Sequence, residues 1–389
     1  MAAGNRYDTV VVGAGVFGAW TAYYLQRAGR RVALLDAYGA ATSRASSGGE
    51  SRVIRMGYGA DEIYTRSAIR SLDLWRRLAA RTGEDLFRQT GVLWMARERD
   101  AYTLDTLATL GRAGVKTERL DRAELEARYP QLERGAVTWA IFEPESGALM
   151  ARRAVRSVVR ETVREGASYL IDRVATPTAI VKERARLDLI VTASGERIFA
   201  ESFVFACGPW LPKVFPELLR DLIHVTRQEV FFFGVAAGDT RFAPPRMPVW
   251  IDFQDLVYAI PDMEGRGFKI AIDRHGPPCD PDSMNRMASA EGLREVRDYL
   301  ARRVPALKDA PVLETRVCQY ENTSNGDFLI DRYPGLDNVW LVGGGSGHGF
   351  KHGPALGEYV TARVNGDDGP IEPRFSLAAK ERVQKRAVF

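Results

Sequence analysis

The chain has 389 residues, past the size at which a single hydrophobic core stops growing, so two domains are expected. Its 46% hydrophobic and 27% charged content is that of a globular protein, and a net charge of +4 without long like-charge blocks excludes a nucleic-acid or membrane-surface signature. No apolar run reaches transmembrane length and no leader pattern precedes the first strand, so a cytoplasmic location is expected. Cys207, Cys279 and Cys318 are too scattered for a disulfide framework or a zinc site, and the four histidines assemble no metal motif.

The segment Thr9 to Asp36 organises the chain. Val10, Val11 and Val12 predict a strand, Gly13, Gly15 and Gly18 follow at G-x-G-x-x-G spacing, and Ala19 to Arg27 has helical composition. The first glycine permits the turn, the second lets backbone approach a pyrophosphate, and the third lets the helix lie close to the strand. A second apolar run ends at Asp36, about twenty residues on, where an acid can accept from ribose hydroxyls and disfavours a 2′-phosphate. These features point to a dinucleotide site and leave FAD and NAD both open.

Ala37 to Gly59 is rich in Ser, Gly and Arg and reads as a long functional loop carrying Arg44, Arg52 and Arg55. Helices are predicted over Ile63–Ala80, Asp100–Ala113, Asp121–Arg128 and Ala151–Glu165. Strands are predicted at Thr90–Met95, from Trp139 into a turn ending at Met150, and over Ala167–Val174. Leu187–Val191 and Arg197–Ala206 form a strand pair that ends in a glycine turn at Gly208, the carboxyl end where open α/β sheets place ligands. Between Val225 and Ile272 short aromatic strands imply a mainly antiparallel sheet, and Ala290–Arg303 is a further helix. Near the end, Val339 to Gly343 feeds the glycine-rich loop to Lys351, and Pro354 suits the first turn of a last helix.

Two strand, glycine-loop and helix units at opposite ends of the chain imply one extended cofactor held by distant segments. FAD fits, because a helix N-terminus can stabilise the negative charge of its reduced ring. The expected architecture is α/β: a Rossmann-type FAD-binding domain over 1–80, 150–220 and 312–389, interleaved with a mainly antiparallel β-sheet substrate domain over 81–149 and 221–311.

The stretches GAGVFGAWTAYYL, SRVIRMGYG, TGVLW, ACGPW, FKIAID, CQYENTSNGDFLIDRYP and SGHGFK together resemble the monomeric sarcosine oxidase family, within the D-amino-acid oxidase group of flavoproteins. The resemblance implies FAD joined covalently through Cys318. It also implies a substrate carboxylate held by Arg55 and Lys351, aromatic pocket residues at Tyr258 and Tyr320, and an oxygen-activating lysine at Lys269 near Arg52. The expected cofactor-binding set is Gly13, Gly15, Gly18, Asp36, Arg44, Val174, Gly208, Cys318, Gly345, Gly347, His348, Gly349 and Lys351. The implied reaction takes a hydride from a secondary or cyclic amine amino acid to flavin N5, giving an imine, and reduces O2 to H2O2, in a monomer. The alternative is a flavin dehydrogenase or a biosynthetic tailoring oxidase acting on a larger amine-bearing substrate.

The chain departs from the family pattern twice: Asp273 stands where the family often has a substrate-contacting histidine, and Gly48 or Ser47 where a histidine can precede the first arginine. The cofactor and carboxylate ends are thus expected intact and the amine end altered, with Asp273 favouring a substrate that carries an extra donor or a cationic group.

Overall fold

Branched side chains at Val10 to Val12 favour extended backbone. In the computed structural model, which describes residues 6–175, 186–367, 369 and 371–385, they end the strand β1 (Arg6–Val12). Parts of the predicted domain ranges (1–5, 176–185, 368, 370 and 386–389) lie outside the described residues. The alternation along β1 serves two cores: Val11 packs on one face of its sheet with Trp20 and Val204, while Val10 and Val12 pack on the other with Phe203, Phe205 and Leu341. A central strand buried on both faces reads as a continuous valine run for that reason.

The helix α1 (Val16–Arg27) begins at Val16 rather than at Ala19, because Gly15 is its N-cap and the second and third glycines belong to the helix entry rather than to a separate turn. The following strand β2 (Val32–Asp36) and the distant strand Arg197–Phe205 flank β1, both parallel to it. Parallel neighbours continue outward to Ser168–Ile171 on one side and Val339–Gly343 on the other. Two antiparallel strands, Leu329–Arg332 and Leu189–Val191, complete a seven-stranded sheet. The last helix, Gly353–Val364, crosses α1 so closely that a Cβ on Gly357 would stand 2.8 Å from backbone of Trp20.

A second sheet has eight strands. In order they are Val312–Thr323, Ile223–Phe233, Phe268–Ile272, Val257–Ile260, Val249–Asp252, Val92–Ala96, Trp139–Glu143 and Glu118–Asp121. Every pairing is antiparallel except that of Val249–Asp252 with Val92–Ala96. Helix Ala290–Arg303 covers one face, burying Val296, Tyr299 and Leu300 against Phe231, Phe268 and Trp250. Its predicted bounds and its cap agree: Ser289 accepts a hydrogen bond from the Gly292 amide.

Two sequence expectations change here. Ala37–Gly59 is not structureless: Ser46–Gly48 forms one 3-10 turn, and Arg52–Ile54 is a strand paired with Gly147–Leu149, which also pairs with Phe87–Arg88. A three-residue strand has no periodicity to read, and its partner lies far along the chain. In addition, Val312–Thr323, expected with the FAD-binding segments, hydrogen-bonds along its length to Ile223–Phe233. The strand carrying Cys318 and Tyr320 therefore belongs to the eight-stranded sheet.

Candidate active site

Between the two sheets lies a cavity of about 450 Å³. Its wall includes Gly13, Gly15, Asp36, Ser47, Arg52, Val174, Gly208, Cys318, Tyr320, Gly345, Gly347 and Gly349, drawn from both ends of the chain. The three glycines of the opening motif differ in what requires them. A Cβ on Gly13, whose φ is +106°, would meet the Ala206 carbonyl at 2.2 Å, and one on Gly18 would meet the Gly13 carbonyl at 1.9 Å. Both are demanded by the protein's own packing. A Cβ on Gly15 would meet only the Ser47 hydroxyl, at 3.5 Å, so the space left open there belongs to the cavity. That is the place where a pyrophosphate approaches backbone at a helix N-terminus, and the residues fit the dinucleotide end of FAD.

The loop that followed Asp36 in sequence folds back over this helix start. Ser47 accepts a hydrogen bond from the Val16 amide at 3.0 Å, and Ser46 donates to the Gln319 carbonyl at 2.8 Å. Asp36 accepts from the Ala14 amide at 2.8 Å through one oxygen and from Tyr38 at 2.9 Å through the other, so it braces the glycine turn as well as facing the cavity.

A smaller cavity of about 90 Å³ adjoins the first and shares Arg52, Cys318, Tyr320, Gly347 and Phe350 with it. Arg55, Tyr258, Asp273, His348 and Lys351 also belong to its wall. Arg55 is buried between the rings of Tyr58 and Trp94, at 4.3 and 4.7 Å, and donates to the Gly57 carbonyl. The backbone that follows it is held by Glu143, which accepts from the Met56 amide at 2.8 Å, the Gly57 amide at 3.1 Å and the Trp94 indole at 2.7 Å. Lys351 donates to the Tyr58 hydroxyl at 2.7 Å and to the His348 carbonyl at 2.8 Å. Burial, with Arg55 nearby, holds its ammonium well below the usual lysine range.

Across this cavity, Tyr320 donates to Asp273 at 2.5 Å. Burial pushes the Asp273 carboxyl up to about 6, although the Tyr320 hydrogen bond and the charges of Arg55 and Lys351 pull the other way. Tyr258, also raised by burial, stands beside the pair in the same wall.

Lys269 occupies a different position. It donates to the Ser51 carbonyl at 2.7 Å, its nitrogen lies 5.7 Å from the Tyr258 ring centre, and it lines an arginine-rich cavity of about 460 Å³ on the far side of Ser51. Burial, then the charge of Arg52, push its ammonium far below the usual range. Arg52 itself donates to the Ser46 carbonyl at 2.6 Å and lies 3.8 Å from the Cys318 sulfur. The lysine, the arginine and the thiol thus form one cluster where the two sheets meet.

Four expected cofactor residues lie outside the wall of the large cavity: Gly18, which packs on the Gly13 carbonyl, Lys351, which lines the smaller cavity, Arg44 and His348. Arg44 is exposed, with its guanidinium 4.9 Å from the Tyr38 ring centre, and is absent from the cavity wall. His348 contributes to the smaller cavity, and one ring nitrogen lies 3.0 Å from the Gly326 carbonyl. Sequence reading passed over Glu143 and Tyr58, whose roles depend on contacts across sheets. It also passed over Glu321, one residue beyond Tyr320, which lines the large cavity with a buried carboxyl.

The model of the family "FAD dependent oxidoreductase" (DAO) matches residues 8–363. The chain is 30% identical to the monomeric sarcosine oxidase of Bacillus sp. NS-129, over 99% of each chain. It is 29% identical to the N-methyl-L-tryptophan oxidase of Yersinia pestis, over 96% of this chain and 99% of that one. Among solved structures, the L-proline dehydrogenase of P. horikoshii has the same fold, with a TM-score of 0.83 at 22% identity over 96% of this chain and 97% of that one. The chain belongs to the DAO family of FAD-dependent oxidoreductases, as a sarcosine oxidase-like member.

Proposed function

We propose that the protein oxidises a small secondary or cyclic amine bearing a carboxylate, in the manner of an N-methyl or cyclic amino acid, and passes the electrons to O2 with release of H2O2. The observation that carries this reading is the convergence of two buried cations, Arg55 and Lys351, on a cavity of about 90 Å³. A guanidinium and an amine that face one small cavity can hold a carboxylate through charge-assisted hydrogen bonds. The small volume favours a compact substrate over a large scaffold.

FAD, when bound, supplies the acceptor for the hydride. The remaining work belongs to the chain. Arg55 and Lys351 fix the carboxylate, Tyr258 and Tyr320 border the carbon and nitrogen that react, and Asp273 faces the amine. The ordinary pKa of such an amine leaves it cationic near neutral pH, and hydride leaves readily only from the neutral form. A carboxylate at Asp273, ionised above about pH 6, can accept the departing proton. Lys269 and Arg52 supply positive charge where O2 takes up electrons. Cys318, on the strand bordering both cavities, would carry the covalent link to the flavin. Among the described residues no helix is long and apolar enough to cross a membrane, and we take the enzyme to act as a cytoplasmic monomer with no nucleic-acid partner.

The test is anaerobic mixing of the holoprotein with sarcosine, other N-methyl amino acids, L-proline and pipecolate, and with their methyl esters. Loss of the visible flavin band with the acids and not the esters is expected, followed in air by one H2O2 per amine consumed. Equal reduction by acids and esters would overturn the carboxylate assignment. Reduction without peroxide would make the protein a dehydrogenase. After acid precipitation the yellow colour is expected in the pellet of the wild type and in the supernatant of Cys318→Ala.

A further inference from the structure

Glu321 is an acid in a place that the packing of the chain does not explain. Its side chain is 8% exposed, lines the large cavity and faces Gly208, Gly343 and Gly345, whose absent Cβ atoms would stand 3.3 to 3.8 Å from the nearest carboxyl oxygen. One oxygen, Oε1, accepts a long 3.3 Å hydrogen bond from the Gly345 amide. The other, Oε2, is fully buried and has no partner among the described residues. Burial pushes the carboxyl up to about 7, against the pull of the glycine-loop amides. A buried acceptor left without a donor is unfavourable, so a ligand group is the natural partner.

The neighbours of Glu321 say which part of the ligand that is. The helix start at Gly15 and Val16 suits the pyrophosphate. Cys318 and Tyr320 border both cavities and suit the ring. Side chains alternate along the strand, so Glu321 points away from the direction of Tyr320, toward the turns at Gly208 and Gly345. A carboxyl there is poorly matched to a phosphate, which offers only acceptors and like charge. It is well matched to alcohols. We propose that Glu321 is a cofactor-binding residue whose Oε2 accepts a hydrogen bond from a hydroxyl of the ribityl chain, the polyol that joins the pyrophosphate of FAD to its ring. This rests on the large cavity being the FAD site.

The experiment uses Cys318→Ala protein, in which FAD exchanges reversibly whether or not the wild type holds it covalently. Affinities of the apoprotein for FAD and for deoxyribityl FAD analogues, each lacking one hydroxyl, are read by equilibrium dialysis with circular dichroism as the control for folding. One analogue is expected to bind about tenfold or more weakly than FAD. Adding Glu321→Ala should weaken FAD by a similar factor and erase the preference over that analogue, while Glu321→Gln, which keeps a carbonyl acceptor, should retain most of both. Equal affinity for FAD and every analogue would overturn the proposal whatever the variants do, as would a preference that persists unchanged in Glu321→Ala. If Glu321→Ala does not fold, Glu321→Gln decides: binding and analogue preference close to the parent support the proposal, and loss of FAD with no change in preference overturns it. Failure of the folded Cys318→Ala protein to bind FAD at all would instead sink the cavity assignment.

Discussion

Asp273 shares the wall of the small cavity with Arg55 and Lys351, and it brings there a carboxyl with its titration raised to about 6 by burial and a direct hydrogen bond from Tyr320. The expected outcome is a kcat/KM profile whose acid limb falls as pH drops through about 6, and the loss of that limb in Asp273→Asn together with altered selectivity across an amine panel. Steady-state kinetics between pH 5 and 9 measures it; an unchanged limb and unchanged selectivity would remove Asp273 from the amine end. Lys269 is separable by the same logic. Because it lies behind Ser51 rather than in the wall of the small cavity, Lys269→Met should leave anaerobic reduction by amine within a few-fold of wild type and slow reoxidation by O2 by about a hundredfold or more. Stopped-flow measurement of the two half-reactions tests that split. The depressed titration of Lys269 adds a sign: reoxidation should slow as pH rises through its lowered pKa, earlier than an ordinary lysine would dictate.

Among the elements, the opening strand, glycine turn and helix were legible because each has a local cause. Valines favour the strand, Gly15 caps the helix, and the acid ending β2 braces the turn. The strand Arg52–Ile54 was not legible, since its partner Gly147–Leu149 is remote and neither is long enough to alternate. The three glycines also divide at this scale. Gly15→Ala should leave the melting temperature of the apoprotein near wild type and weaken FAD binding by tenfold or more. Gly18→Ala, which forces a Cβ against the Gly13 carbonyl, should destabilise the fold itself by about 1–3 kcal/mol. Thermal melts and flavin binding on the two apoproteins check this, and equal melting temperatures for both variants would contradict it.

For the whole molecule, burial of basic groups under the site couples the fold to pH. His352 is buried, accepts or donates at 2.7 Å with the Tyr58 hydroxyl, and is held well below its ordinary range by burial and by the charges of Lys351 and His348. In the unfolded chain the same imidazole takes up a proton near pH 6.5. The unfolded state therefore binds more protons below that value, and this contribution to stability is lost as pH falls. The wild type is expected to lose more melting temperature between pH 7 and pH 5 than His352→Gln does, as read by calorimetry in matched buffers; equal losses would show that the imidazole is not the coupled group.

The sequence by itself determined the parts whose causes are local or periodic: the βαβ opening, the capped helices, the short aromatic strands, and the residue types able to hold a dinucleotide, a carboxylate and a flavin. The tertiary structure decided which of these meet. It placed Cys318 and Tyr320 on a strand of the eight-stranded sheet, left Arg44 outside the cavity, set Glu143 against the backbone that follows Arg55, and buried one oxygen of Glu321 without a partner among the described residues. The physical reason is that pairing across sheets and desolvation belong to neighbours brought together from distant parts of the chain, and no local pattern of residues encodes them.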